Sequence, residues 1–277
     1  MVMIKVGIDM NELKALWDSS ASLYNEHTKK FVMHRKITTF LLSIVNTNPR
    51  KILDFGCGPG NSTMIISNYF SESKIMGLDY SKGMIDIALD KINKNTEFVC
   101  NQIDNFVYNK IIFDLIICSN SFFHVENKSE LLSTFHKIMG KDSILVFSMY
   151  ESVFIPDDKI VLPFTFEQED NLMRLLLKKI QEEGIYIEKR KESREVFSQS
   201  SLRDLFDKNG FQIKLGGILR ITRSLDERLN YFKIPIISQE VFPDIDNNII
   251  CNIINNMEIS IGEEQERNIY GFLCKKI

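Results

Sequence analysis

Residues 51–60 read Lys-Ile-Leu-Asp-Phe-Gly-Cys-Gly-Pro-Gly, and this stretch decides the fold. Its apolar first half is typical of a buried strand, and glycines follow at alternate positions, Gly56, Gly58 and Gly60. Glycine carries no Cβ, so backbone N–H groups at such a strand-to-helix turn can approach a bound ligand. A dinucleotide-binding fingerprint would need a third glycine where Asn61 stands. The stretch therefore predicts a different kind of ligand-binding turn or, alternatively, only a tight connection between a strand and a helix.

A second predicted strand ends in an acid that complements this turn. The strand spans 74–79 and ends at Asp79, which follows Gly58 by about 20 residues. In a right-handed βαβ unit, this spacing places the carboxylate beside the glycine turn. There it could accept hydrogen bonds from both hydroxyls of a ribose, each worth about 1.5–3 kcal/mol. The alternative is a helix N-cap, because residues 81–84 are typical of a helix start. The turn and the acid together favour nucleoside binding.

The combined pattern Asp54-x-Gly56-x-Gly58-x-Gly60 with Asp79 resembles motif I and the ribose-binding acid of class I, Rossmann-like methyltransferases that depend on S-adenosylmethionine (SAM). The likeness is to their small-molecule group. It implies SAM as the cofactor, S-adenosylhomocysteine (SAH) as the product, and direct SN2 transfer of a methyl group to a small, fairly apolar acceptor.

The same resemblance, which follows the family over about residues 20–150, implies where the cofactor contacts lie. In the stretch expected near adenine, Gln102 stands where an aspartate is usual, but an amide oxygen can still accept from the adenine amino group. Ser119 and Asn120, at the exit of the fourth strand, could meet the methionine portion. The expected cofactor-binding residues are Asp54, Gly56, Cys57, Gly58, Gly60, Asp79, Tyr80, Met84, Gln102, Ile103, Ser119, Asn120 and Arg35.

Two residues are candidates for the chemical step. His124, just beyond the fourth strand, is a candidate general base because the ordinary pKa of imidazole suits proton transfer near neutrality, although a scaffold role is the alternative. In related enzymes an N-terminal helix closes over the cofactor, with a tyrosine near the methyl group and a basic residue at the methionine carboxylate. Tyr24 and Arg35 match these positions best. The alternative is an amphipathic surface helix with ordinary polar residues.

The amino-acid composition limits the kinds of substrate and cofactor that the protein can bind. With 37 acidic and 34 basic residues the net charge is −3, which argues against a nucleic-acid substrate. The loop at 119–122 also lacks the Asn/Asp-Pro-Pro-Tyr sequence of amino-methylating DNA enzymes, which leaves a nucleic-acid methyltransferase as the weaker rival. No apolar run is long enough for a membrane span, and the N-terminus does not resemble a secretory signal. The five cysteines and four histidines show no metal-ligand spacing, so we expect a cytoplasmic protein without a metal.

A further alternative is a protein that binds SAM without transferring its methyl group, either a regulator or a catalyst of another reaction in the same pocket. The glycine turn and Asp79 predict binding, but they do not by themselves predict turnover. The sequence also leaves open the acceptor, the atom that is methylated, the use of a general base, and the oligomeric state.

The alternation of strands and helices predicts a single α/β domain over 1–277, a doubly wound, mostly parallel seven-stranded sheet with helices on both faces. The first five strands are predicted at 51–55, 74–79, 96–100, 113–118 and 143–148. A sixth strand is predicted at 211–222, and a last strand at 266–275 lies antiparallel between the fifth and sixth by likeness to the family. Predicted helix caps are Asn61 or Ser62, Asn127 or Ser129, and a capping box at 201–204.

The remaining segments predict a helical lid over the carboxyl ends of the strands. The core is predicted at about 47–150, 200–222 and 264–277, and the lid at about 1–46, 151–199 and 223–263. Lid aromatics could line an apolar acceptor pocket or could instead form the lid's own core. They are Tyr150, Phe154, Phe164, Phe166, Tyr231 and Phe232.

Overall fold

The computed structural model describes residues 10–103, 111–157, 171–186, 195–257 and 264–277. Its strands are β1 Lys51–Phe55, β2 Lys74–Asp79, β3 Thr96–Cys100, β4 Phe113–Cys118, β5 Met139–Tyr150, β6 Phe154–Ile155, β7 Phe197–Ser198, β8 Phe211–Arg223 and β9 Gln265–Lys276. Its helices are α1 Met10–Lys30, α2 Met33–Ser43, α3 Asn61–Tyr69, α4 Lys82–Leu89, α5 Lys128–Ile138, α6 Asn171–Glu182, α7 Gln199–Lys208, α8 Leu225–Phe232, α9 Pro235–Val241 and α10 Asn247–Asn256.

Seven of these strands form one sheet in the order β3-β2-β1-β4-β5-β9-β8. The first five are parallel, and β9 runs antiparallel to both β5 and β8. β8 therefore points the same way as β1–β5, and its end at Arg223 lies on the same edge of the sheet as the end of β1. This confirms the predicted fold class and the position of the antiparallel strand.

Helices cover both faces of the sheet because the strands carry continuous apolar runs that must be buried on both sides. On one face α5 and α7 contribute Leu132, Phe135 and Phe206 to a core built on β4, β5 and β9. On the other face α2 and α3 contribute Leu41 and Ile66 to a second core. The carboxyl edge of the sheet is left for polar residues.

Two predicted helix caps are wrong. α3 begins at Asn61, and its cap is Gly60 with φ 82° and no side-chain bond. Ser62 is the second residue of α3, past the cap position, and its hydroxyl donates to the buried Asp54 carboxylate at 2.7 Å. α7 begins at Gln199, and Ser198 caps it by accepting from the backbone N–H of Ser201, so the predicted capping box at 201–204 lies inside the helix.

The cap of α5 and the fifth strand give one confirmation and one correction. Asn127 caps α5 by accepting from the Glu130 N–H. β5 begins at Met139, four residues before the predicted start, because a register shift in β4 allows Phe113 to pair with Met139. Ser143 bridges this irregularity, accepting from Gly140 N–H at 2.9 Å and donating to the Phe113 carbonyl at 2.7 Å.

Outside the sheet, helices from both predicted insertions share a small core of their own. Leu176 of α6 is buried with Leu229 of α8 and Ile250 and Ile254 of α10. The N-terminal helix α1 packs against α9, where the Ser20 hydroxyl accepts from the Ile236 N–H at 2.9 Å. The predicted lid residues 1–9, 158–170, 187–194 and 258–263, including Phe164 and Phe166, lie outside the described residues.

α1 also docks on the first turn of α4 through a small residue, Gly83. Asp18 of α1 accepts from Ser81 Oγ at 2.6 Å and from the Gly83 N–H at 2.9 Å. A Cβ on Gly83 would lie 2.6 Å from the backbone oxygen of Asp18. The glycine therefore sets how closely α1 approaches the sheet.

We expect Gly83→Ala to loosen this contact. Backbone atoms of α1 cannot rotate away, so overpacking should cost about 1–3 kcal/mol, offset by about 1 kcal/mol from better helix propensity. Amide hydrogen exchange in α1 should accelerate while exchange in β1 and β4 is unchanged. Gly140→Ala is the control, because the nearest described atom to its Cβ would be a side-chain oxygen, Ser143 Oγ at 3.3 Å, and not the backbone of α1. Unchanged exchange in α1 would show that the contact adapts without cost.

None of the helices in the described part of the chain combines the length and apolar character needed to cross a membrane.

Candidate active site

The glycine turn after β1 is tied to the end of β2 by backbone and side-chain bonds. The N–H groups of Gly56 and Cys57 donate to the Leu78 carbonyl at 2.8 and 3.1 Å. The Gly58 N–H donates to Asp79 Oδ2 at 2.9 Å. The predicted juxtaposition of turn and acid is therefore present at the carboxyl edge of the sheet.

Gly58 is less crowded than the other glycines of the turn, because a Cβ there would make only an ordinary van der Waals contact. Its φ is +53°, and the nearest described atom to a Cβ there would be Tyr24 Cε1 at 3.8 Å. Gly56 differs, since its Cβ would lie 2.5 Å from Ser121 Cβ. Gly56 thus lets two loops pack together, while Gly58 presents bare backbone toward the helix α1.

The half-buried Asp79 carboxylate accepts hydrogen bonds from two backbone N–H groups, those of Gly58 and Ser81. Its Oδ1 accepts from the Ser81 N–H at 2.9 Å. Burial raises the pKa of this carboxyl, opposed by the N–H donors of Ser81 and Gly58. The N-cap of α4 is Ser81, which accepts from the Met84 N–H, so the alternative of Asp79 as the cap is wrong. Each Asp79 oxygen keeps a second lone pair, which fits a ribose diol.

Asp54, in the middle of the fold-deciding stretch, is completely buried at the end of β1. Its Oδ2 accepts from Ser62 Oγ at 2.7 Å and Thr63 Oγ1 at 2.6 Å, while Oδ1 has no partner among the described residues. Burial raises the pKa of Asp54 to about 6, although the two hydroxyls oppose this. Oδ2 of Asp54 therefore holds the first turn of α3, while Oδ1 stays available as a buried acceptor next to the glycine turn.

We expect the raised pKa of Asp54 to appear in the stability of the ligand-free protein. The unfolded carboxyl titrates near 3.8 and the folded one near 6, so the stabilising contribution of its protonated form is complete below pH 4. It is lost as the pH rises through 6, by about 3 kcal/mol in all. The free energy of unfolding of the wild type, relative to Asp54→Asn, should fall from pH 4 to pH 6.5 and then level off. A difference that stays constant across this range would contradict the assignment.

The exit of β4 holds the two predicted residues Ser119 and Asn120. Asn120 has φ +61°, and its backbone N–H donates to Ser148 Oγ at 3.0 Å. Its side-chain Nδ2 lies 3.2 Å from Nδ1 of His34. Ser119 Oγ lies 2.9 Å from Thr38 Oγ1. Both residues therefore face the helix α2.

The ring of His34, rather than the side chain of Arg35, enters this site. Arg35 is exposed on α2, and the helical period of α2 would have indicated this, because the buried positions include Met33, Ile37 and Thr38. Burial lowers the pKa of His34 to about 3, with His27 adding to the effect. His34 is therefore neutral near pH 7, and sequence reasoning did not assign it a role.

Tyr24 and His124, the two candidates for the chemical step, both border the same space. The Tyr24 ring lies 5.5 Å from that of His34 and 5.8 Å from that of Trp17. Burial raises the pKa of Tyr24 well above its usual range. His124 lies in a single 3-10 turn, with its ring 6.4 Å from that of Trp17.

The remaining predicted cofactor residues are distributed around α4 and β3. The Cys57 side chain is buried against Ile85 and Phe98, so only its backbone can face a ligand. Met84 is buried, and the Tyr80 hydroxyl is buried without a partner among the described residues. Gln102 is exposed and Ile103 half-buried, and residues 104–110 lie outside the described part.

Polar contacts hold α1 against the glycine turn. Lys91 of the loop after α4 donates to the Pro59 carbonyl, to Asn61 Oδ1 at 2.8 Å and to Asn25 Oδ1 at 3.0 Å. Asn61 Nδ2 in turn donates to Thr28 Oγ1 at 2.7 Å. Together with the bonds of Asp18, these contacts hold α1 across the glycine turn and the first turn of α4.

Two other expectations concern the lid aromatics and metal. Phe154 packs against Tyr270 and Phe272, with ring centroids 4.9 Å apart in each pair, and so belongs to the core under the sheet rather than to a pocket. Tyr150 and Tyr231 lie near the site, and Phe232 packs between helices. In the described ranges no group of three or more His, Cys, Asp or Glu side chains is arranged to hold a metal ion.

Comparison with known proteins points to one family. The profile described as "Methyltransferase domain" matches residues 24–214, more than half of the chain. The malonyl-[acyl-carrier protein] O-methyltransferase of Acetivibrio thermocellus is 26% identical over 147 residues, covering 52% of this chain and 50% of that protein. The enzyme of the same name from Bacillus cereus is 29% identical over 149 residues, covering 52% and 54%. The chain thus spans about half the length of the curated relatives it matches.

Among solved structures, the YcgJ protein of Bacillus subtilis superimposes with a TM-score of 0.54 and 15% identity, covering 88% of this chain and 98% of that one. This likeness shows a shared fold. The extent of the profile match shows the family, and the chain belongs to the methyltransferase domain family.

Proposed function

We propose that this member of the methyltransferase domain family binds SAM and transfers its methyl group to a small acceptor by direct displacement. The observation that carries the proposal is the 2.9 Å bond from the Gly58 N–H to Asp79, in a turn whose glycine backbone is bare at Gly58. This bond holds the glycine turn next to the Asp79 carboxylate, which can accept hydrogen bonds from the hydroxyls of a ribose.

The chain's own residues suit each part of the cofactor. Asp79 would accept from the ribose hydroxyls, and Tyr80, Met84 and Ile103 would border the adenine ring. Asn120 and Ser119 would meet the methionine end, together with His34 instead of the predicted Arg35. Polar atoms of Asp54, Tyr80 and His34 are buried without a partner among the described residues, which supports a site where a polar ligand supplies the missing hydrogen bonds.

Catalysis by these residues consists mainly of positioning and exclusion of water. SAM supplies an electrophilic methyl group when bound. Tyr24, Trp17 and His124 would confine the acceptor atom under α1, and the helices of the two insertions would close the site as a lid. The aromatic walls suit a small, fairly apolar acceptor, and the names of the curated relatives favour oxygen as the accepting atom.

The test is direct binding followed by turnover. Calorimetry with a chelator present should show micromolar affinity for SAM and SAH. SAH release should then depend on an acceptor from a panel of small molecules. Binding of NADH without binding of SAM would overturn the proposal, whereas SAM binding without any SAH release would indicate a non-methylating protein.

We place the protein in the cytoplasm and propose a small-molecule partner rather than a nucleic acid. All five cysteines are free, and three of them, Cys57, Cys118 and Cys274, are buried, which is typical of a reducing compartment. The net charge of −3 disfavours binding to the phosphates of a nucleic acid.

For an oxygen acceptor, we expect His124→Asn to lower kcat about 100-fold or more if the imidazole removes a proton, and to leave the SAM affinity nearly unchanged. The rate should be measured from pH 6 to 9, because a lost base also removes the pH dependence. His136→Asn, in α5 and remote from the turn, is the control. A variant with the wild-type rate across this range would mean that the enzyme works by positioning alone.

A further inference from the structure

A cluster of buried polar side chains lies beside the proposed cofactor site, and the function proposed above does not use all of it. It consists of His27 on α1, His34 on α2, Tyr231 on α8 and Arg223 at the end of β8. The rings of His27 and His34 are 6.2 Å apart, and those of His27 and Tyr231 are 5.2 Å apart. The guanidinium carbon of Arg223 lies 5.1 Å from the Tyr231 ring. We call this the His–Arg cluster.

Several of its polar atoms are buried without a hydrogen-bond partner among the described residues. They are both ring nitrogens of His27, Nε2 of His34 and Nη2 of Arg223. Buried polar atoms usually find a partner, since leaving one unpaired is costly. Four such atoms in one place indicate a site that a polar ligand completes.

The chemistry of the cluster can be read from its other bonds. Ser148 Oγ lies 3.4 Å from Asn120 Oδ1 as a donor, so the Asn120 amide turns its Nδ2 toward His34. Because an amide nitrogen can only donate, His34 Nδ1 accepts and the neutral ring carries its proton on Nε2. The unpartnered His34 atom is therefore an N–H donor.

The charges of the cluster limit how much negative charge a ligand can carry there. Arg223 Nε donates to the Glu227 carboxylate at 3.3 Å, and Nη2 of the same guanidinium is buried without a partner among the described residues. Burial lowers the pKa of His27 to about 4, and the charge of Arg223 adds to this effect, so His27 is neutral near pH 7. The cluster thus offers one guanidinium, already paired with Glu227, and two neutral imidazoles. This set suits a ligand with a singly charged carboxylate better than one with a doubly charged phosphate.

We infer that Arg223 binds a carboxylate of the methyl acceptor, with His27 and His34 as neutral partners lining the way from Arg223 to the glycine turn. This inference rests on the proposed methyltransferase function. Arg223 is suitably placed for it, because β8 ends on the same edge of the sheet as β1, and the strand order puts β8 and the Asp79 strand β2 in opposite halves of the sheet. It makes the acceptor a small carboxylic acid with an apolar body.

The test compares acids with their amides. Wild-type protein saturated with SAH is titrated with a panel of small aliphatic and aromatic carboxylic acids and with the primary amide of each. SAH release is measured separately with SAM. We expect one or more acids to bind, with its amide at least tenfold weaker. Equal binding of acid and amide, or binding of no acid at millimolar concentration, would overturn the inference. Failure of the wild type to bind SAH would instead overturn the proposed function.

Variants assign the effect to Arg223. Arg223→Gln should weaken the bound acid about tenfold to a hundredfold, the loss expected for a charged hydrogen bond. Arg223→Gln/Glu227→Gln keeps the pair neutral and should show the same loss if the single variant folds poorly. Arg220→Gln, on the same strand but exposed and facing Glu266, is the matched control and should bind the acid like the wild type.

SAM and SAH also carry a carboxylate, in their amino-acid portion. A second comparison shows whether Arg223 binds that group or the carboxylate of the methyl acceptor. SAH has the amino-acid portion, and 5′-methylthioadenosine lacks it. If Arg223 serves the acceptor, Arg223→Gln should bind both compounds as the wild type does. If the variant loses affinity for SAH but not for 5′-methylthioadenosine, Arg223 binds the cofactor's carboxylate and the inference is overturned.

Discussion

Asp79→Asn should lower the affinity for SAM about a hundredfold. The substitution keeps the shape of the side chain but replaces a charged acceptor of two hydroxyls, a loss of about 3 kcal/mol. Because Asp79 also accepts from Gly58 and Ser81, a smaller loss of stability should accompany it. Calorimetry with SAM and with SAH, alongside thermal unfolding of the ligand-free protein, measures both.

Asp86→Asn is the matched control for this measurement. Asp86 lies on α4 near Asp79 in sequence, but it forms an exposed ion pair with Lys82, and such pairs contribute little. The control should therefore retain the wild-type SAM affinity. If Asp79→Asn left SAM binding intact while the melting temperature collapsed, Asp79 would be a brace of the turn and not a ligand-binding group.

Gly56→Ala should destabilise the fold by about 2–5 kcal/mol and remove most SAM binding. Two costs combine. A side chain at φ +69° is strained by about 1–2 kcal/mol, and the new Cβ would lie 2.5 Å from Ser121 Cβ, which overpacking places at about 1–3 kcal/mol. Ser121 cannot easily withdraw, because it is buried and its hydroxyl donates to the Phe55 carbonyl at 2.6 Å.

The two costs can be separated with a control that the chain itself offers. Gly184 has φ +78° and no described atom within 4 Å of its Cβ position, so Gly184→Ala should show the backbone strain alone. In the Gly56→Ala background, Ser121→Gly should restore the part due to the clash. Chemical denaturation of the four proteins gives the free energies of unfolding. Equal losses for the two single glycine variants would rule out a role for the contact with Ser121.

The sequence predicted the features that lie close together along the chain. The turn at Gly56–Gly60 and the acid at Asp79 form one βαβ unit, so their spacing alone indicated that they would meet. The order of the sheet followed from the alternation of strands and helices, and the antiparallel β9 from likeness to the family. These features depend on local periodicity and on the handedness of the connection.

Features that depend on distant partners were not predictable in the same way. Ser62 has good capping chemistry, yet Asp54 inside the sheet recruits its hydroxyl. Arg35 seemed the natural cation for a carboxylate, but it faces outward while His34 turns inward. Arg223 gave no signal at all, because its position beside His27 depends on the approach of β8 and α1 from opposite ends of the chain. Periodicity shows that a residue is buried, and does not show which residue it will meet.

The antiparallel β9 has a consequence for the order in which the molecule is assembled. Among the described strands β8 pairs with β9 alone, and β9 joins it to β5, so contacts such as Tyr150 with Ile269 span more than a hundred residues. Contacts so far apart in sequence form late and slowly. In pulse-labelled refolding, the amides of β8 should gain protection after those of β1 and β4. The cofactor half of the site would then be ready before Arg223 arrives at its edge, so a folding intermediate could hold SAM while still unable to recognise an acceptor.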